Sequence, residues 1–478
     1  MSPVSFINDL RLCIPEIIIA FGILFLLLMG VFSRRKNAFH LVVFPVCLLS
    51  IALFFLLIMP YEGIGLGGAY ISDRFSYFIK AILLMSSIII FIKMFSCIYV
   101  KPFSCFEFPV IMLMAVLGML CMISANDMIS FYMSLELQSF ALYVLIAMNR
   151  KSVFSIEAAL KYFVLGAFSS AFLLYGISFI YGFTGCTGFS QIATSLFIGH
   201  RSFVLIVGVV LILVGLFFKM ALVPFHMWIP DVYEGSPMFM TAFLATIPKF
   251  ATTMALCRIT SVFWPMLSGL LPIFMCVSIG SMVLGSVVAI RQKDLKRLMA
   301  YSSIGHAGYA LIGFSTGMLG IVAMVRYMVI YLIMMIGFFS CILSLRRKDG
   351  NNIQNISDLA GLSRQDIFLT CALTIFLFSL AGIPPFAGFF GKYFLLISAV
   401  KREFYVLAIV ALLSSVISAY YYLRVISIMW FDQSTECVVV VAKEMRLFIF
   451  GSILFVTGYF LIENILNSSI MKIVMSLF

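Results

Sequence analysis

Glu136, Lys219, Lys249 and Lys392 are charged residues set within long apolar stretches, and His306 stands among them in YSSIGHAGYALIGF. Lys219 interrupts LVGLFFKMALVPF, and Lys392 follows AGIPPFAGFFG. A charge at the centre of a bilayer costs roughly 2.5–3.5 kcal/mol even on insertion scales, so residues of this kind need a reason. Their types suggest proton transfer. A free lysine, with a pKa of about 10.4, rarely releases its proton. Burial disfavours an ammonium, and a nearby carboxylate favours it again. A lysine beside a glutamate that can move is therefore a protonation switch. Glu136 with Lys219 is the expected pair, Lys249 the relay and Lys392 the exit-side site.

Other ionisable residues carry weaker signals. His226 lies in a helix break after Pro224, where it serves either proton transfer or packing. Lys161 follows Glu157 by four positions, the spacing of a helix-stabilising ion pair, yet it lies about a turn inside its span. Lys80 and Lys93 fall near helix ends and are expected to snorkel to the interface. Glu16, near the start of the first span, is expected to be interfacial. The run Gly63-Ile64-Gly65-Leu66-Gly67-Gly68 fits GxGxxG literally, but a membrane helix precedes it rather than a strand, so it lacks the setting of a dinucleotide site.

Composition sets the solvent in which these residues act. Of 478 residues, 64% are hydrophobic and 10% charged, with mean hydropathy +1.18, whereas a soluble domain is about half apolar and a quarter charged. The apolar runs are mostly as long as an α-helix needs to cross about 30 Å of hydrocarbon. The short alternating segments of a β-barrel do not occur. The 11 cysteines are scattered singly without CxxC or Cys/His clusters, which argues against a disulfide framework, zinc or iron–sulfur site. Four histidines give haem little support. The net charge of +12 sits in short loops and reads as a topology signal rather than a nucleic-acid surface.

The runs predict an all-α polytopic membrane protein with about fourteen spans, at 14–32, 39–59, 75–95, 108–124, 128–147, 158–181, 203–223, 237–259, 267–290, 298–314, 321–343, 367–400, 404–428 and 445–462. The whole chain, 1–478, reads as a single integral membrane domain. Glycines and prolines at Gly382, Pro384, Pro385, Gly388 and Gly391 interrupt the twelfth run, and the seventh meets Pro224 and Pro230. Both are expected to be broken helices. By its spacing, Glu136 lies about 12 Å into its helix and Lys249 about 18 Å past Pro237, each near the midplane.

Counted over alternate loops, sixteen basic residues fall on one side and seven on the other. Arg34, Arg35, Lys36, Lys101, Arg291, Lys348 and Lys443 belong to the richer side, Arg201 to the poorer. The richer side is cytoplasmic by the positive-inside rule, which puts both termini outside. The basic residues directly after the first run reverse the charge order of a cleavable leader, so that run is expected to remain as a span.

Lys219 follows Glu136 by 83 positions and Lys392 follows His306 by 86. The interval predicts two five-helix repeats, spans four to eight (108–259) and nine to thirteen (267–428). An odd number of helices per unit makes the second inverted.

EAALKYFVLGAFSSAFLLYGISFIYG at 157–182, FKMALVPFHMWIPDVYEGSP at 218–237, DLKRLMAYSSIGHAGY at 294–309 and LAGIPPFAGFFGKYF at 380–394 resemble the antiporter-like subunits of respiratory complex I, the NADH-quinone oxidoreductase. DVYEGSP with EAALKYF favours one branch over its relatives. Lys392 stands where the M-type branch has glutamate, and the sequence lacks the long lateral helix of the L type. The resemblance implies a proton channel of two inverted five-helix repeats. By motif match it makes Glu136 the fifth-helix glutamate, Lys219 and Lys392 the broken-helix lysines, Lys249 the central lysine and Lys161 an additional one.

It further implies a non-redox translocase subunit of a bacterial inner (plasma) membrane enzyme, with no cofactor of its own. FMN, iron–sulfur clusters and quinone would sit in partner subunits. The implied partners are other membrane-arm subunits, namely the M type and the small K and J types, with the lipid bilayer, protons and water, and no nucleic acid. Glu136 would move relative to Lys219 and pass a proton through Lys249 towards Lys392. The rival readings are a subunit of a multisubunit sodium/proton antiporter and a structural membrane anchor for quinone enzymes.

Overall fold

A backbone in lipid must satisfy its own N–H and C=O groups, and this chain does so with helices almost throughout. A computed structural model describes residues 9–32, 42–94, 105–198, 203–347, 353–433, 438–440 and 446–478. Arg34, Arg35, Lys36, Lys101, Arg201, Lys348 and Lys443, which the charge count uses, lie outside the described residues.

In chain order the helices are α1 (Ile14–Phe32), α2 (Phe44–Ile58), α3 (Arg74–Met94), α4 (Glu107–Ile123), α5 (Met128–Ala147), α6 (Val153–Thr184), α7 (Phe189–Ile198), α8 (Phe203–Met220) and α9 (Trp228–Gly235). They continue as α10 (Met238–Val262), α11 (Leu267–Ala289), α12 (Leu295–Ser315), α13 (Met318–Leu343), α14 (Ile367–Ala381), α15 (Ala387–Lys401), α16 (Tyr405–Phe431) and α17 (Arg446–Met475). Among the described residues, ten helices are long and apolar enough to cross a membrane, and α2, α4 and α14 are apolar but shorter.

The predicted breaks are present. The run at 367–400 is two helices, and the seventh run ends at Met220, before short α9. The last helix runs to Met475, past the predicted 462, carrying Glu463 and Asn467 through its middle. Apolarity ends early there, and the helix does not, because Arg326 of α13 supplies a partner for these polar side chains.

The Gly63–Gly68 run forms the first strand and the turn of a small antiparallel hairpin, Gly63–Gly65 against Tyr70–Ser72. Gly67 and Gly68 take φ of 66° and 94°, which explains the glycines without a nucleotide.

The chain divides into two units. Unit 1 holds Met1–Lys219, Ile247–Leu270 and Ile473–Phe478, and unit 2 holds Met220–Thr246 and Leu271–Lys472. In unit 1 Asp127 caps α5 by accepting from the N–H groups of Ile129 and Ser130 at 2.8 and 3.1 Å. Helices α4 and α5 meet at Gly118, where a Cβ would come within 2.6 Å of Gln138 N.

In unit 2, α11 and α12 meet at Gly285, where a Cβ would come within 2.6 Å of Gly305 N. The DVYEGSP segment is held to the start of α12. Arg297 pairs with Asp231 at 2.5 Å and Glu234 at 2.7 Å. The Lys296 ammonium donates to the carbonyls of Glu234 and Ser236 at 2.7 and 2.9 Å, a favourable place for a cation at the C-terminal end of α9.

Candidate functional site

Lys219 is the penultimate residue of α8, and the chain turns directly after it, with Ala221 in the left-handed region at φ 60°. Its side chain is buried. Nζ donates to Ser139 Oγ at 2.7 Å and to Tyr143 Oη at 3.1 Å, hydroxyls on successive turns of α5. It also lies 5.4 Å from the centre of the Tyr143 ring. That ring is set edge-on against Tyr162 of α6 at 4.7 Å.

Glu136 stands one helical turn before Ser139, on the same face of α5. Its Oε1 accepts from Ser170 Oγ of α6 at 2.5 Å. Lys219 thus has hydroxyl partners, and Glu136 has a hydroxyl donor of its own. A hydroxyl both donates and accepts, so it can accept from an ammonium and donate to the lone pair of a neutral lysine, whereas a carbonyl only accepts.

Lys249 of α10 is buried directly after Pro248, which removes a ladder hydrogen bond beside it. Lys161 makes an i, i+4 ion pair with Glu157 at 2.8 Å, both side chains about half exposed. His226 falls in the turn between α8 and α9, and its buried Nδ1 has no hydrogen-bond partner among the described residues.

Unit 2 contains a second arrangement. At the end of α14, Gly382 takes φ 87° and closes the helix by donating to the carbonyls of Phe378 and Ser379. The carbonyls of Leu380 and Ala381 are left to accept from Lys392 Nζ of α15, at 3.0 and 2.9 Å, with Ser415 Oγ of α16 at 3.3 Å. The helix break thus supplies the ligands of the lysine. A small cavity with room for about one water molecule lies between Lys392, His306, Tyr309 and Tyr421. His306 Nδ1 is 2.5 Å from Tyr327 Oη, and Nε2 is 3.1 Å from Tyr422 Oη. Tyr422 in turn bonds Ser302. His306 and Lys392 therefore share one polar pocket.

The sequence singled out none of these hydroxyl groups. Ser139 and Tyr143 had a legible signal, standing three and seven positions after Glu136 on one helix face. Tyr327, Ser415 and Tyr422 had none, since each reaches the site from a helix distant in sequence.

Three expectations are corrected. Lys80 does not snorkel, nor is Glu16 interfacial: both are buried and form an ion pair, with Lys80 Nζ also donating to Tyr70 Oη at 2.6 Å. The hairpin strand bearing Tyr70 supplies a polar partner that an isolated helix end would seek in water. Lys93 is buried as well. Asp73, just ahead of α3, accepts from Arg258 Nη2 through both carboxylate oxygens at 2.9 and 3.0 Å. Burial alone would lift the Asp73 carboxyl, but the Arg258 guanidinium outweighs it and holds the carboxyl below its ordinary value. Among the described residues, no group of three or more His, Cys, Asp or Glu is placed to hold a metal ion.

Long apolar helices, two of them interrupted with a buried lysine beside each break, define a polytopic membrane protein of the antiporter-like class. A family model described as NADH:quinone oxidoreductase/Mrp antiporter, TM, matches residues 125–418. NADH-quinone oxidoreductase subunit N 1 of Rhizobium meliloti (strain 1021) is 50% identical over 472 residues, 98% of each chain. A chain of respiratory complex I from Thermus thermophilus, solved with bound aureothin, is similar with a TM-score of 0.81 at 29% identity, covering 95% of this chain and 98% of that one. A chain of the Mrp complex from Dietzia sp. DQ12-45-1b shares the fold, with a TM-score of 0.85 at 19% identity, covering 98% of this chain and 97% of that one. The chain belongs to the NADH:quinone oxidoreductase/Mrp antiporter family, in its NADH-quinone oxidoreductase subunit N branch.

Proposed function

We propose that this chain is a proton-translocating, non-redox subunit in the membrane arm of a bacterial NADH-quinone oxidoreductase. The observation that carries the reading is the pair of buried ammonium groups held by exchangeable partners: Lys219 on the hydroxyls of Ser139 and Tyr143, and Lys392 on carbonyls freed by a helix break. In unit 1 a shift of Glu136 relative to Lys219 changes how firmly that lysine keeps its proton, and Lys249 relays it. In unit 2 Lys392 is the exit-side site, with His306 and its tyrosines sharing its pocket. Lys161 and His226 serve as accessory proton carriers.

The chain works in the inner membrane with both termini on the periplasmic side. FMN, iron–sulfur clusters and quinone reside in partner subunits, and its neighbours are the M-type and the small K- and J-type subunits. Moving one charge against 100 mV takes about 2.3 kcal/mol, which redox chemistry in those partners provides. Residues 108–259 and 267–428 act as two inverted repeats, supported by matching close contacts at Gly118 and Gly285.

Lys219→Ala is expected to abolish proton pumping by an enzyme that still assembles and oxidises NADH. Wild-type pumping in that variant refutes the role. The likeness of fold to the Mrp chain supports a second reading, a sodium/proton antiporter subunit. Purification without flavin and iron–sulfur subunits, together with sodium-dependent pH changes, would favour it.

A further inference from the structure

The lysines and histidine described above leave a buried arginine of unit 2 without a task. Arg326 is the ninth residue of α13 and lies within the apolar run LGIVAMVRYMVIYLIMM. It is 4% exposed. Its guanidinium lies over the ring of Phe394 at 3.9 Å, donates to Asn467 of α17 and stands 3.9 Å from the Glu463 carboxylate, also of α17. Nε and Nη1 are buried without a hydrogen-bond partner among the described residues. A guanidinium and carboxylate that pair fully lie about 2.8 Å apart, so this pair is loosely closed. Tyr459 of α17 also stands near the guanidinium.

The placement of this pair relative to Lys392 is specific. Phe394, under the guanidinium, follows Lys392 by two residues on α15, and two residues rotate a helix by about 200°, which puts the side chains on opposite faces. Tyr327, beside Arg326 on α13, bonds His306. We propose that Arg326 and Glu463 form an electrostatic pair that sets how readily Lys392 gives up its proton, Arg326 being a positioning residue that acts across the width of α15. The inference rests on the reading of Lys392 as a proton-carrying site.

A like charge disfavours an ammonium, and a carboxylate favours one. The groups that face Lys392 itself are Tyr309 and His306 of α12, Tyr421 and Ser415 of α16 and the two carbonyls of α14. None of them carries a fixed charge. The Arg326–Glu463 pair is the charged group that α13 and α17 place across α15 from this lysine. Across roughly a helix diameter, at an effective dielectric of about 20, one unit charge shifts a protonation equilibrium by about one pH unit.

The test is proton pumping by the assembled enzyme in sealed vesicles, followed from pH 5.5 to 9, with NADH oxidation measured in parallel. Glu463→Gln leaves Arg326 uncompensated and is expected to move the pumping profile to the acid side by about half to one pH unit. Arg326→Gln leaves the carboxylate and is expected to move it to the alkaline side, while Arg326→Lys stays near wild type and the double variant returns towards it. A merely structural pair would shift neither profile, or both the same way, and either result overturns the proposal. Should Arg326→Gln fail to assemble, an unshifted profile in Glu463→Gln overturns it alone. Lys392→Ala separates the two ideas: retained pumping there refutes the role of Lys392, whereas lost pumping with unshifted Gln variants refutes only the Arg326–Glu463 field.

Discussion

The Lys392 ammonium donates to the main-chain carbonyl of Ala381 at 2.9 Å, and Ala381 is the last residue of the helix that Gly382 terminates. A lysine eleven positions later in the chain thus occupies the place where the next turn of that helix would have satisfied the carbonyl. Break and charge are parts of one arrangement: without the break the ammonium would lose two of its three partners, and without the ammonium the Leu380 carbonyl would lose its donor while Ala381 kept the Ser415 hydroxyl at 3.3 Å.

Gly382 holds φ at 87°, and a Cβ there would meet the Lys392 side chain at 3.0 to 3.5 Å. Gly382→Ala is expected to destabilise the fold by about 1–2 kcal/mol, the cost of the left-handed conformation for an L-residue. It should also displace Lys392. A lower melting temperature of the solubilised complex, with pumping reduced more than NADH oxidation, is the expected result.

Tyr143→Phe removes a hydroxyl from Lys219 but keeps the ring that packs on Tyr162. A hydrogen bond to a charged group contributes about 1.5–3 kcal/mol. Pumping is therefore expected to fall by about tenfold or more, with assembly unchanged. Ser139→Ala should act in the same direction, and pumping assays in vesicles with both variants would detect it.

The buried Lys80–Glu16 pair makes an asymmetric forecast. Removing one partner strands the other charge and costs about 3–5 kcal/mol, whereas replacing both with apolar residues is often neutral. Lys80→Met and Glu16→Leu should each lower the melting temperature markedly, and the double variant should recover most of it. Equal losses in all three would contradict the pairing.

Asp73 gives a pH-dependent contribution of definite sign. Its carboxyl is held below the ordinary value of about 3.9 once folded beside Arg258. The stabilisation is present in full above that ordinary value and is lost as pH falls through the lowered one. Thermal melts between about pH 3 and 6 should show stability falling at the acid end, and Asp73→Asn should flatten that slope.

Much of this was legible before any coordinate. Hydropathy alone determined that the chain spans a membrane many times, because few sequences other than transmembrane helices sustain apolar runs of that length. Proline and glycine located both helix breaks, since neither residue can continue a helix in the ordinary way. Charge in apolar surroundings marked Glu136, Lys219, Lys249 and Lys392 by its cost.

What each charge meets was decided only by tertiary packing. Periodicity places Lys80 near a helix end, but only the hairpin carrying Tyr70 and the nearness of Glu16 make burial tolerable. Lys219 rests on hydroxyls 76 and 80 positions away in sequence, and His306 on Tyr422 at a separation of 116. A helix pattern fixes which face a residue occupies, whereas its partner depends on which other helix is packed there. In a medium without water, that neighbour determines whether an ionisable group is a liability or a site.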